Sequence, residues 1–297
     1  MKLKSGTCDK LASVILYVVA GFAVLLLVFF VGYILYQGRE RLNFHFITSP
    51  PVIMEEGGGI GPQLFNSFYL VALSMLFTVP VGVLAGIYMA EYAKPNRLTG
   101  LIRFCIEALA SLPSIVIGLF GLLVFVSATK WGYTLMSGAL AVSILNLPVI
   151  TRISEDAIRN VPHPIKEASL ALGATHWQTI YKVLIPSAIP GLITGIVITS
   201  GRAFGEAAAL LYTAGMSSPK LDFSNLNPFS AHSPLNPFRP AETLAVHIWK
   251  VNTEGLAPDS RQIADGAAAI LIISVFVFNI LSRFLGRAIS TRFSGKS

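Results

Sequence analysis

Six long stretches of the chain contain almost no charged residues, and this feature constrains the fold more than any other. Each stretch is close to the roughly 20 residues that an α-helix needs to cross a bilayer. A backbone in lipid must satisfy its own hydrogen bonds, and continuous apolar runs without strict alternation favour helices over a barrel. The predicted spans are Leu11–Tyr36, Leu64–Ala90, Ala108–Thr129, Trp131–Thr151, Ser187–Gly215 and Ile263–Ser282. The sequence therefore predicts an all-α protein with six transmembrane helices, in contact with the lipid bilayer.

The lysines and arginines between these spans predict the orientation of the protein. With the N-terminus inside, the inner segments hold 14 basic residues, among them Lys2, Lys4 and Lys296, and the outer segments hold 7. Because positive charge is enriched on the cytoplasmic side of membrane proteins, we expect both termini to be cytoplasmic. This asymmetry also explains the formal net charge of +7, so the sequence indicates no nucleic-acid partner. The first span is longer than the core of a cleavable signal and is interpreted as a retained anchor.

The segments between the spans divide the chain into three predicted regions. Residues 1–63 form an anchor helix and a first outer loop, residues 64–285 form the core, and residues 286–297 form a cytoplasmic tail. Within the core, residues 152–186 make a long inner segment and residues 216–262 a long outer loop. That loop is rich in proline, asparagine and serine, which predicts irregular structure apart from a short helix near residues 241–251.

Motifs typical of enzymes and metal sites are missing from the sequence. There is no HExxH or GxSxG motif, and the five histidines are scattered along the chain. The two cysteines, Cys8 and Cys105, are far apart and lack the spacing of metal ligands. An enzyme working within the membrane would need a paired nucleophile and base or a set of metal ligands in its spans. The sequence therefore predicts no catalytic residue, no metal site and no cofactor.

The inner segment VPHPIKEASLALGATHWQTIYKVLIP, residues 161–186, predicts two short helices joined by a glycine. Pro164 suits the first turn of a helix, and Gly173 ends that helix where a left-handed conformation is favoured. Thr175 and Gln178 have the spacing of a capping box that starts a second helix, which Pro186 would close. Helices this short are marginal alone. They need a surface to pack on, either in the same bundle or in a partner.

This segment also resembles the EAA loop of ABC importer permeases, which sits in a groove of the cytoplasmic ATPase. The resemblance lies in Glu167-Ala168-Ser169, Gly173 and Val183-Leu184-Ile185-Pro186. Three further stretches resemble the A-type permease subunit of bacterial high-affinity phosphate importers: SLPSIVIGLFG at 111–121, GRAFGEAAALLYTAG at 201–215 and PAETLAVHIW at 240–249. The resemblance implies a type I importer permease fold with a cytoplasmic coupling-helix loop, in which Glu167, Ala168 and Gly173 contact the ATPase.

The resemblance also implies where the protein acts and with what. It implies a multi-pass protein of the bacterial inner membrane that forms half of a translocation pathway for inorganic phosphate. The implied partners are a second homologous permease, a dimer of cytoplasmic ATP-binding subunits and an extracytoplasmic phosphate-binding protein. ATP hydrolysis is then expected in the ATP-binding partner, and this chain is not expected to be an enzyme. An importer of another oxyanion, such as sulfate or molybdate, and a membrane scaffold without transport activity are the alternatives.

Two charged residues, Arg202 and Glu206, lie within the fifth predicted span. An arginine at mid-membrane costs about 2.5–3.5 kcal/mol on insertion scales, and such residues tend to face a bundle interior or an aqueous cavity. On a continuous helix both would share one face with Gly191, Gly195, Gly201 and Gly205. That face could be a close-packed surface with an internal ion pair. With the family resemblance, it is instead predicted to line the pathway, with Arg202 as a transient countercharge for phosphate and Glu206 orienting it.

Overall fold

The computed structural model describes residues 5–52, 55–255 and 257–293, and all regular structure in this part of the chain is helical. The basic residues Lys2, Lys4 and Lys296, used for the predicted orientation, lie outside the described residues. The α-helices are, in chain order, α1 (Ser5–Gly38), α2 (Phe44–Thr48), α3 (Gly61–Glu91), α4 (Arg97–Ser111), α5 (Ser114–Gly121), α6 (Leu135–Arg159), α7 (His163–Ala171), α8 (His176–Thr179), α9 (Ile185–Phe204), α10 (Ala208–Leu211), α11 (Leu244–Glu254) and α12 (Ser260–Phe293). Wide π-helical turns at Leu122–Ala128 and Ile180–Leu184 extend α5 and join α8 to α9. The predicted all-α fold is confirmed.

Five helical segments of the described chain are long and apolar enough to cross a membrane. They are Ala12–Arg41, Gly61–Glu91, Leu135–Arg159, His176–Phe204 and Ser260–Ala288. A sixth crossing, predicted as one helix at residues 108–129, is instead a pair of helices that meet at 100°. The bend lies at Leu112, which has extended backbone because the following Pro113 disfavours the helical conformation. Counted as one broken crossing, this pair brings the total to six, as the sequence predicted.

The fifth predicted span, Ser187–Gly215, is wrong at both ends. Its helix begins at His176 and ends at Phe204, after which the chain turns at Gly205. Pro186 was predicted to close a separate helix, but the helix runs through it. The wide turn directly before the proline already departs from the regular hydrogen-bond ladder, so the missing N–H of Pro186 does not break the helix.

The helices α3 and α6 pack closely at the centre of the bundle. A β-carbon added to Gly82 would collide with Ile150, and one added to Gly86 would collide with Ser154. Only glycine lets the two backbones approach this far, and in a bilayer such close packing is a main source of helix association.

By contrast, α1 lies against α12 with its apolar side chains exposed. Helix α12 passes residue 285 and continues to Phe293, and the division of the chain at residues 63 and 285 remains a prediction.

Contacts at the two ends of α3 define the two ends of the bundle. Near the start of α3, Gln63 and Asn66 contact the segment 212–243, and this end is called the loop end. Where α3 finishes, Glu91 contacts α7, and this end is called the hairpin end. At about 1.5 Å per residue, the 31 residues of α3 separate these contacts by about 40 Å, enough to span a bilayer.

A buried polar network fixes the loop end. The Asn66 amide donates to the backbone carbonyl of Glu242 at 2.9 Å and accepts from Arg239 at 2.7 Å. Burial lowers the pKa of the Arg239 guanidinium to about 10, so it stays charged at neutral pH. The network joins α3 to residues more than 150 positions later in the sequence. These hydrogen bonds hold the irregular loop against the start of α3.

The carboxylate of Glu242 is the acidic centre of this network. It accepts a hydrogen bond from Gln63 at 3.0 Å and faces His247 at 3.2 Å. Burial by itself raises the pKa of Glu242, but hydrogen bonds from His247 and Gln63 and the charges of His247 and Lys250 outweigh burial and lower it overall. The carboxylate is therefore ionised at neutral pH and stays paired.

The separation of the two ends gives a labelling test. Leu172 at the hairpin end is 89% exposed and Phe229 in the loop is 93% exposed. In a background with Cys8 and Cys105 replaced by serine, we expect a membrane-impermeant maleimide to label Phe229→Cys in right-side-out vesicles. Leu172→Cys should react only in inside-out vesicles, because positive charge favours the cytoplasmic side. Labelling of both cysteines from one side would contradict this topology.

Candidate functional site

Residues 163–184 form a helical hairpin, here called the hairpin, whose local structure follows the sequence. Helix α7 has Pro164 in its first turn and is followed by Gly173, which has φ of +83°. Thr175 and Gln178 make both hydrogen bonds of the predicted capping box and open α8. The predicted order of helix, glycine and helix is confirmed, although the second arm continues into the membrane span.

One face of the hairpin is apolar and exposed. Leu172 is 89% exposed, Trp177 58% and Tyr181 64%. Glu167 and Ala168 are also exposed, on α7. Large apolar side chains grouped on a surface often mark a site for a partner.

The opposite face of the hairpin is fixed to the bundle. Ile180 and Leu184 are buried in a cluster with Ile87 of α3 and Ile158 of α6. The hydroxyl groups of Ser169 and Thr179, 3.0 Å apart, join the two arms of the hairpin. The hairpin therefore packs directly on helices that cross the membrane.

Glu91, the last residue of α3, holds the hairpin electrostatically. Its carboxylate lies 2.6 Å from the ammonium of Lys166 and 3.2 Å from His176 Nε2. The side chain of Glu91 is only 7% exposed, so water screens this pair weakly. Glu91 was not among the predicted site residues, because its partner Lys166 lies 75 residues later in the sequence. The feature of the sequence that could have pointed to Glu91 is its place directly after an apolar span.

A second carboxylate links the bent crossing to the centre of the bundle. Glu155 on α6 is 2.6 Å from Arg103 on α4 and 2.9 Å from Arg159, one turn further along α6. Arg159 also donates to the backbone carbonyl of Met89 at 3.2 Å. At the same end as the hairpin, α6 is thus joined to α4 by an ion pair and to α3 by a hydrogen bond.

Arg202 and Glu206 lie together where α9 ends. Arg202 is in the last turn of α9, and its Nε is 3.4 Å from Oε1 of Glu206. The arginine side chain is 47% exposed, whereas that of Glu206 is 12% exposed. This geometry contains both the ion pair that a packing role requires and the exposed guanidinium edge that a pathway role requires.

The predicted glycine face of α9 is not one surface in the structure. Gly195 packs against Ile153 of α6, and Gly201 packs against Asn279 of α12. Because the helix stops at Phe204, Glu206 and the residues after it leave the face that a longer helix would form. The exposed stripe of α9 contains Arg202 but none of these glycines, and its members are spaced three or four residues apart: Ser187, Pro190, Thr194, Ile198 and Arg202.

The described residues contain no group of three or more His, Cys, Asp or Glu side chains placed to hold a metal ion. The structure therefore offers two features for function, which are the exposed apolar face of the hairpin and the exposed stripe of α9 that ends in Arg202. The first has the exposed apolar character that is typical of a surface for a protein partner. The second places a guanidinium, which suits oxyanions, on an otherwise nearly uncharged helix.

Comparisons with known proteins agree with this organisation. Residues 82–295 match the family described as binding-protein-dependent transport system inner membrane component. The chain is 57% identical over 281 residues to the probable ABC transporter permease protein YqgI of Bacillus subtilis, covering 95% of this chain and 96% of that protein. It is 32% identical over 247 residues to the phosphate transport system permease protein PstA of Haemophilus influenzae, covering 83% of this chain and 82% of that protein.

Solved structures show the same fold at lower sequence identity. The bacterial alginate ABC transporter, solved in complex with an alginate pentasaccharide-bound periplasmic protein, contains a chain with a TM-score of 0.65 and 16% identity, covering 94% of both chains. The inward-facing MetNI methionine ABC transporter contains one with a TM-score of 0.57 and 21% identity, covering 78% of this chain and 94% of that one. With an all-helical bundle and an exposed hairpin, the chain belongs to the family of binding-protein-dependent transport system inner membrane components and is a permease subunit of an ABC importer, not an enzyme.

Proposed function

We propose that this permease forms half of a translocation pathway for inorganic phosphate, together with a second homologous permease. The observation that carries the proposal is Arg202, a half-exposed arginine at the end of an apolar helix. A guanidinium presents parallel N–H donors that match phosphate oxygens. The similarity to PstA of Haemophilus influenzae supports phosphate among the oxyanions. In this proposal the hairpin end and both termini are cytoplasmic, and a phosphate-binding protein docks at the loop end.

The carboxylate beside Arg202 suits a site that must release its ligand. Glu206 lies 3.4 Å from the Nε of Arg202 and leaves the rest of the guanidinium open. Its negative charge orients the arginine and competes with a bound anion. A transport site must bind well enough to admit the ion and weakly enough to let it leave.

The hairpin is the proposed contact with the dimer of ATP-binding subunits. Glu167 and Ala168 lie on its exposed side, and Gly173 forms the turn. When ATP draws the two ATP-binding subunits together, the hairpin would move with them. Glu91 and the buried residues Ile180 and Leu184 would carry this movement into α3, α6 and α9. A bundle that switches between two packed arrangements would then alternate access to Arg202.

Substitution of Arg202 tests the pathway role. Arg202→Gln should reduce phosphate uptake strongly, and Arg202→Lys should retain part of it, because lysine keeps the charge and loses the planar fork. If Arg202 only balances Glu206, the double variant Arg202→Gln with Glu206→Gln should restore uptake. We expect no such rescue. The measurement is uptake of labelled phosphate in cells lacking other phosphate transporters, with membrane abundance checked by immunoblot.

Near-normal uptake by the double glutamine variant would assign Arg202 to packing. The wild-type complex in vesicles also decides the substrate, by uptake of labelled phosphate against sulfate and molybdate. If the complex takes up sulfate or molybdate in preference to phosphate, the preferred anion is the substrate and phosphate is not. Transport of none of the three anions would contradict the proposed function.

Gly173 tests the coupling role of the hairpin. A β-carbon at Gly173 would meet nothing within 4 Å, so a substitution acts only through the backbone φ of +83°. Gly173→Val should strain the turn by on the order of 1 kcal/mol or more and misplace the two arms. Gly173→Asn is the matched control, because asparagine tolerates the left-handed conformation. The valine variant should lose transport and the asparagine variant should retain most of it. Equal, wild-type ATP hydrolysis and transport in both variants would exclude this turn as the coupling element.

Glu91 tests the connection between the hairpin and α3. Glu91→Gln keeps the shape of the side chain but removes the charge facing Lys166, which should weaken the anchor by about 1.5–3 kcal/mol. In vesicles we expect ATP hydrolysis to continue while phosphate uptake per ATP falls. Glu107→Gln, at an exposed carboxylate of α4, is the control and should match wild type. Unchanged uptake per ATP in Glu91→Gln would show that this ion pair does not transmit the movement.

A further inference from the structure

A groove runs between α9 and α12 toward the hairpin end. The two helices are antiparallel there, since Gly201 of α9 meets Asn279 of α12 while Ile193 meets Gly286. The groove encloses about 210 Å³. Its lining consists of four apolar residues, one threonine, one glycine and two arginines: Pro190, Ile193, Val197, Ile198, Thr194, Gly286, Arg283 and Arg287.

The groove is continuous with the stripe that carries Arg202. Pro190, Thr194 and Ile198 line the groove and also belong to the exposed stripe of α9. Arg202 is the next member of that stripe, one helical turn beyond Ile198. A solute that leaves Arg202 toward the hairpin end would therefore follow this groove.

Arg283 and Arg287 are the charged residues of the groove. They are one turn apart on α12, and both side chains are exposed. Within the described part of the chain, neither has an acidic side chain within ion-pair distance. Arg202 is restrained by Glu206, and these two arginines have no such restraint. Their guanidinium groups are open to an anion.

The spacing of these residues forms a series of positions along the groove. Asn279, which contacts Gly201 beside Arg202, precedes Arg283 by one turn and Arg287 by two. At about 1.5 Å per residue, neighbouring members of this series are about 6 Å apart along the axis of α12, and the whole series spans about 12 Å.

We propose that Arg283 and Arg287 form a second phosphate site, which receives the anion after Arg202 and before its release at the hairpin end. This inference rests on the proposed transport of phosphate. Two sites in series allow each to bind moderately, so that the anion moves from one to the next and then leaves. The phosphodiester of an anionic phospholipid has the same chemistry as free phosphate at this groove. The experiment below separates the two sources.

The test uses the complete importer, with both permeases, the ATP-binding subunits and the binding protein, reconstituted in vesicles. One vesicle type contains only phosphatidylcholine, and the other contains equal parts of phosphatidylcholine and phosphatidylglycerol. The double variant Arg283→Gln with Arg287→Gln should lower initial uptake of labelled phosphate about tenfold in both, because both charge-assisted contacts of the second site are lost. The double variant Arg283→Lys with Arg287→Lys should show an initial uptake between those of wild type and the glutamine pair, because lysine keeps the charge and loses the planar fork. Lys94→Gln with Arg97→Gln, which removes two exposed charges at the same end, should transport like wild type.

Retained ATP hydrolysis stimulated by the binding protein shows that a variant complex is assembled. If the glutamine pair does not assemble, the single glutamine variants replace it, and each must lower uptake. Wild-type phosphate uptake by the glutamine variants would overturn the second site and leave the proposed function intact. A defect present only with phosphatidylglycerol would also overturn it and assign the groove to a lipid headgroup. Failure of the wild-type importer to move phosphate would instead reject the proposed function, and the second site with it.

Discussion

A backbone inside hydrocarbon must satisfy its hydrogen bonds within its own helix, and the organisation of this permease depends on that constraint. Regular helices form the apolar crossings, and the departures occur at a few positions. The chain bends by 100° before Pro113, widens at Ile180–Leu184 before Pro186, and turns at Gly205 directly after the last turn of α9. The last departure matters most, because it brings Arg202 to the end of a helix. There its charged group is half exposed instead of lying inside a continuous span.

Three carboxylates fix the positions of segments that the packing of apolar helices alone would leave undetermined. Glu242 joins the irregular loop to the start of α3, Glu91 joins the hairpin to its end, and Glu155 joins the bent crossing to α6. Each is nearly buried and has partners from distant parts of the sequence. Removing one partner of such a pair would leave an uncompensated charge in a nearly buried position, which is strongly destabilising. The same contacts would let a movement of the hairpin reach the membrane helices.

The proposed pathway and the proposed coupling share helix α9. The arm of the hairpin that starts at His176 continues without a break into this helix, which carries Arg202 in its last turn. The exposed stripe of α9 leads back from Arg202 to the groove that contains Arg283 and Arg287. One helix thus connects the surface proposed to contact the ATP-binding partner with the arginines proposed to bind the substrate. This gives a short mechanical route between the two.

Local patterns in the sequence were sufficient to predict the number of crossings, the turn at Gly173 and the capping box of Thr175 and Gln178. Each depends on neighbouring residues, on backbone preference or on the length of an apolar run. The tertiary structure alone decided how far α9 extends, which of its faces is exposed, and that Glu91 pairs with Lys166. The glycines of α9 looked alike in sequence, yet Gly195 packs on α6 and Gly201 on α12. Contacts of this kind join residues far apart in the chain, and no local preference encodes which helix will lie beside which.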